Sequence, residues 1–165
     1  FSLNDVSGEF GHMIINFEGP KCSCGRNGCV EAYFSKHGLK RITMEKLPYN
    51  PGSILRAYEP DKITPQIISH SALQGDQLSI DIFNEASRAM GVAISNMINL
   101  TGVHKIVIGG GIANAWQIFY EPMMEVVSHI VFKANVPKVK LVKAELGEKA
   151  GFIGAARCAM QGVNL

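Results

Sequence analysis

The sequence predicts an α/β domain in which helices cover a sheet, and three segments carry that prediction. Gln77 to Leu100 repeats apolar residues at helical spacing. Lys105-Ile-Val-Ile108 is a short apolar strand ending in Gly109-Gly-Gly111, and Lys138 to Leu146 alternates as a second strand before a final helix. The order helix, strand, helix, strand, helix is that of crossover units packed on a sheet.

Taken in chain order, Gly8 to Phe17 reads as a turn followed by a short strand, Met13 to Phe17. A cysteine loop rich in Gly19, Gly25 and Gly28 comes next. Val30 to His37 permits a short helix that Gly38 would stop. Pro48, Pro51, Pro60 and Pro65 punctuate the following segment, so Lys46 to Pro65 reads as loops and short helices, with Ser53 to Tyr58 and Pro65 to Leu73 as candidates. This stretch looks like an insertion and not a core element. In the long helix, Leu78, Ile82, Phe83, Ala86, Ala89, Met90, Ala93, Ile94, Met97 and Ile98 recur at helical spacing, so it reads as mostly buried, with Asp76 placed to cap its start and Gly102 to end it. Ala113 to Phe132 has helical character with a break expected near Pro122, and Ala150 to Gln161 is a final helix with small residues along one face. Cys158 reads as a buried hydrophobe on it. Met90 and Met97 read as core, and Met123 and Met124 as partly exposed.

The chain has 165 residues, 47% of them hydrophobic and 18% charged, which suits one ordinary domain and excludes intrinsic disorder. Sixteen Lys+Arg against fourteen Asp+Glu leave a net charge of +2, so nothing in the charge balance predicts a nucleic-acid partner. No apolar run approaches the roughly 18 residues that span a bilayer. A cytoplasmic protein is expected. The opening Phe1 is not an initiator Met, and the chain enters Gly8-Glu-Phe-Gly-His12 almost at once, so it reads as a piece of a longer polypeptide.

Three of four cysteines fall within one short loop, Cys22, Cys24 and Cys29. A one-residue gap is poor geometry for bridging Cys22 to Cys24, whereas three thiolates on a tight loop suit zinc, which wants four soft or borderline donors in a tetrahedron. His12 is the best candidate for the fourth donor, with His37 as competitor. Reduced structural cysteines or a redox pair are the alternatives. A closed shell of three sulfurs and one imidazole would make the metal structural. Glu9 and Glu31 in isolation read as solvated carboxylates. The glycines 109–111 suit either a tight turn or the close approach of a nucleotide; the pattern is neither a Walker loop nor Gly-x-Gly-x-x-Gly.

Gly8-Glu-Phe-Gly-His12, Cys22-Ser-Cys-Gly-Arg-Asn-Gly-Cys-Val-Glu31, Val107-Ile-Gly-Gly-Gly-Ile112 and Ala150-Gly-Phe-Ile-Gly-Ala-Ala156 occur in this order in the ROK family of repressors, open reading frames and sugar kinases, which the chain resembles almost from end to end. Gly-Glu-Phe-Gly-His-Met13 and Gly52-Ser-Ile54 look most like the N-acetylglucosamine kinase and fructokinase branch. The resemblance implies the C-terminal lobe of an actin-like (ribonuclease H-like) two-lobe protein, with the N-terminal lobe as its partner. It implies His12, Cys22, Cys24 and Cys29 as zinc ligands, Glu9, His12 and Glu31 as residues holding sugar hydroxyls, and Gly109, Gly110 and Gly111 beside the nucleotide. A hexose and ATP with Mg²⁺ are the implied ligands, a homodimer the implied assembly, and phosphorylation of the 6-hydroxyl of N-acetylglucosamine or a related hexose the implied reaction. The sugar-sensing domain of a repressor is the alternative. The family's phosphate loop and catalytic Asp have no counterpart here: Asn4-Asp5 lies too near Glu9 to be that Asp. The base is therefore expected from the other lobe, and this chain by itself is expected to be inactive as a kinase.

Overall fold

A computed structural model describes residues 8–160. Its helices are α1 (Lys36–Lys46), α2 (Pro65–Leu73), α3 (Gln77–Thr101), α4 (Trp116–Ile130) and α5 (Ala150–Met160), with strands β1 (Lys105–Ile108) and β2 (Lys140–Lys143). The strands pair in parallel with Lys105 opposite Lys140 and Ile108 opposite Lys143, and α4 forms the crossover between them. This is the predicted α/β architecture.

Helix α3 is the centre of the core. The Asp76 carboxylate accepts the Ser79 N–H at its start, and Gly102 closes it with φ +72°. Phe83, Ile82, Ile94 and Ile98 are fully buried along its inner face. Helix α4 crosses α3 at Gly91, where an added Cβ would lie 2.8 Å from the Val126 side chain and 2.9 Å from the Met123 carbonyl oxygen. Phe119, Met123 and Val127 of α4 are completely enclosed there. The expected break at Pro122 does not occur: the helix runs through it. Proline removes one intrahelical hydrogen bond, and its two neighbours in the buried row, Phe119 and Met123, hold the helix on α3.

Several other expectations are corrected. Met13 to Phe17 is not a strand; a single antiparallel bridge joins Ile14 to Cys29, because the chain beyond Cys29 turns at once into a 3-10 turn, Val30–Ala32. Gly38 does not stop a helix but lies in the first turn of α1, whose N-cap Ser35 accepts the Gly38 N–H. Glycine is required there because a Cβ would sit 2.4 Å from the Tyr33 carbonyl oxygen. The proline-rich stretch is no insertion: Leu55 and Ile63 belong to the main core, beside Ile68 of α2. Strand β2 is shorter than expected, since Pro137 lies in a 3-10 turn and the chain turns again after Lys143. Met123 is buried, Met90 and Met97 are half-buried, and Cys158 is half-exposed on an α5 that has no buried residue. Gln161, the expected end of that helix, lies outside the described residues. No helix among the described residues is long and apolar enough to cross a membrane.

The segment that carries the cysteines is fastened to this core by Val30 and Phe34. The Phe34 ring meets Phe119 edge-on, with centroids 5.2 Å apart.

Candidate metal and ligand site

The cysteine loop is built from backbone first. Ile15 N–H donates to the Gly28 carbonyl, Gly28 N–H to the Pro20 carbonyl and Val30 N–H to the Met13 carbonyl, at 2.9, 2.8 and 3.0 Å. These bonds lay Met13 to Pro20 against Gly28 to Val30. Gly28 makes the contact possible: its φ is +71°, and a Cβ there would fall 1.6 Å from the Asn16 carbonyl oxygen. A second reversal at the tip is closed by Cys22 N–H donating to the Arg26 carbonyl and Gly25 N–H to the Cys22 carbonyl.

The result brings His12, Cys22, Cys24 and Cys29 together with all four candidate donor atoms within 4.8 Å of one another. Cys24 Sγ lies 3.6 Å from Cys29 Sγ, and His12 Nδ1 lies 3.6 Å from Cys22 Sγ. Tetrahedral zinc with metal–sulfur bonds of about 2.3 Å sets its sulfurs about 3.8 Å apart. The donor set and its spacing therefore fit a zinc ion with a closed shell. His37, the competing fourth donor, is exposed on α1 and lies outside the group.

Electrostatics treat the thiols unequally. Arg26 Nε donates to Cys24 Sγ at 3.5 Å and, with help from its backbone, holds that exposed thiol down to about 6. Burial pushes Cys29 up to about 12, reinforced by the neighbouring thiols. A divalent cation supplies the charge that three adjacent sulfurs lack, and metal binding releases their protons.

The His12 ring faces two ways. Nδ1 is turned to the thiols, while Nε2 lies 3.8 Å from Glu9 Oε2 and 3.9 Å from Glu31 Oε2. The predicted sugar-binding residues Glu9, His12 and Glu31 thus converge on one edge of the predicted metal cluster. Glu9 is the most exposed of the three, its side chain 64% accessible. Two contacts here were not foreseen from sequence: Ser23 Oγ donates to Glu31 Oε1 at 2.8 Å, and Ser35 Oγ donates to the Glu31 carbonyl while capping α1.

Gly109, Gly110 and Gly111 lie apart from this cluster, at the carboxyl end of β1, and all are exposed. Gly110 has φ +79°, a backbone shape that requires glycine. Beside the triplet is a groove of about 200 Å³ bordered by Pro65, Gln66, His70, Gly111 and Asn114. A second, apolar groove of about 410 Å³ runs from Phe10, next to Glu9, to Gly109, lined on the way by Met90 and Val107. Trp116 stacks on Tyr120 with centroids 5.1 Å apart, a packing contact within α4.

Residues 3–161 match the ROK family. A glucokinase of Thermotoga maritima is 30% identical over 92% of this chain and 48% of its own length. An N-acetyl-D-glucosamine kinase of Yersinia enterocolitica is 28% identical over 93% of this chain and 49% of its own. Among solved structures, a ROK family glucokinase from Streptomyces griseus in complex with glucose and AMPPNP superposes with a TM-score of 0.82 at 30% identity, covering 94% of this chain and 52% of that one. The chain spans about half the length of the curated glucokinases it matches.

Proposed function

Because the chain belongs to the ROK family, we propose that it is the C-terminal, sugar- and zinc-binding lobe of a two-lobe ATP-dependent hexose kinase that phosphorylates the 6-hydroxyl of N-acetylglucosamine or a related hexose, glucose included. The observation that carries this reading is the convergence of Glu9 and Glu31 on His12 Nε2 while Nδ1 faces the thiols. Carboxylates accept hydrogen bonds from vicinal hydroxyls, and an imidazole fixed through one nitrogen offers the other to the sugar. His12, Cys22, Cys24 and Cys29 would hold zinc, which supplies fixed geometry and no nucleophile. Gly109, Gly110 and Gly111 and the adjoining groove would border the nucleotide, whose Mg²⁺ neutralises charge on the phosphates. No residue of this chain is assigned as the catalytic base. That role falls to an Asp of the N-terminal lobe, and catalysis rests on in-line positioning across the two lobes. A cytoplasmic homodimer completes the reading.

A sugar-sensing regulatory domain is the second reading, supported by likeness to a xylose repressor of Caldicellulosiruptor bescii, 28% identical over 90% of this chain. Both readings are tested on the full-length protein that carries this lobe, with ATP, Mg²⁺ and a panel of hexoses. A kinase phosphorylates at least one; a sensor binds sugar without turnover; failure to bind any hexose refutes both. Metal analysis tests the zinc site: stoichiometric zinc lost in Cys24→Ser is expected, and a metal-free, fully stable wild type refutes it.

A further inference from the structure

The contact between Ser23 and Glu31 has no place in the reading above. Ser23 lies between two of the candidate metal ligands, Cys22 and Cys24, and its Oγ donates to Glu31 Oε1 at 2.8 Å. The same carboxylate oxygen lies 3.9 Å from Cys22 Sγ, which in turn is 3.8 Å from Ser23 Oγ. At 2.8 Å against 3.9 Å, the serine hydroxyl and not the thiol is the donor that fixes this oxygen. With Oε1 held, Oε2 is the oxygen left to face His12 Nε2 and the space beside Glu9.

We propose that Ser23 is a positioning residue for hexose binding: its hydroxyl locks the Glu31 carboxylate so that a single oxygen is presented to the sugar, and so ties the cysteine loop to substrate affinity. This rests on the reading of Glu31 as a sugar ligand. Ser23 does not itself touch the sugar. A charge-assisted hydrogen bond at an exposed site is worth about a five- to tenfold change in affinity.

The test uses the full-length, zinc-loaded protein with Ser23→Ala, Ser23→Thr and Glu31→Gln, measuring zinc per chain, hexose affinity by calorimetry, and KM and kcat where turnover is present. Ser23→Ala is expected to weaken hexose binding by about five- to tenfold through KM, with kcat, zinc content and melting temperature unchanged. Ser23→Thr, which keeps the hydroxyl, is expected to restore affinity. The proposal is overturned if Ser23→Ala binds hexose like wild type while Glu31→Gln does not, or if Ser23→Ala loses zinc and Ser23→Thr fails to rescue it. If Glu31→Gln has no effect, the assignment of Glu31 to the sugar fails first and takes the proposal with it.

Discussion

Gly25 and Gly28 permit a direct test of how the cysteine loop holds its donors, because both have positive φ, +86° and +71°, but only one is crowded. Alanine at Gly25 meets nothing within 4 Å, so it costs only the left-handed backbone, about 1–2 kcal/mol. Alanine at Gly28 pays the same and also drives its Cβ to 1.6 Å from the Asn16 carbonyl oxygen. The two segments must part, which breaks the bonds from Ile15 N–H to the Gly28 carbonyl and from Gly28 N–H to the Pro20 carbonyl. At about 1 kcal/mol each, these raise the cost of Gly28→Ala to about 3–4 kcal/mol. The extra loss falls on the segment that carries Cys29, so it is read in metal affinity: Gly28→Ala should bind zinc about 30-fold more weakly than Gly25→Ala. Titration against a chromophoric chelator measures both. Equal affinities for the two variants would refute the claim that this backbone contact positions the donors.

Asp76 accepts the N–H and hydroxyl of Ser79, the Ile54 N–H and the Ser53 hydroxyl, so Asp76→Ala should cost about 2–4 kcal/mol and lower the melting temperature by roughly 5–12 °C. Burial pushes its carboxyl up, but the hydrogen bonds outweigh burial and hold it below the usual carboxylate range. Its stabilisation is therefore complete above the unfolded value of about 3.9 and is lost as pH falls through the lower folded value; the stability gap between wild type and Asp76→Asn should be constant above that window and close as pH falls through it. Gly91→Val should force α3 and α4 apart and destabilise the fold by about 1–3 kcal/mol in a thermal melt, since even a Cβ meets Val126 at 2.8 Å.

What the sequence made legible divides along physical lines. Helix α3 was readable because its periodicity, its Asp76 cap and its Gly102 stop agree, and β1 because four apolar residues run into a glycine triplet. The grouping of Cys22, Cys24 and Cys29 with His12 was readable because three of the four share one short loop, whose spacing constrains their geometry. Helix α1 was missed because Gly38 carries two meanings. It looks like a terminator, but its missing side chain lets the first turn rest on the Tyr33 backbone, and the cap Ser35 was the signal to follow. Leu55 and Ile63 are hard to read because prolines dominate their surroundings, yet both are buried in the main core beside α2, which follows them in the chain. Ser23 could not be foreseen at all: its partner is eight residues away, and only the folded knuckle sets the two together.

The two faces of the His12 imidazole carry a thermodynamic obligation. One aromatic ring faces the thiols with one nitrogen and the two carboxylates with the other. Under the function proposed for this lobe, whatever factor a cation on one edge contributes to carbohydrate affinity on the other, the carbohydrate must return to cation retention.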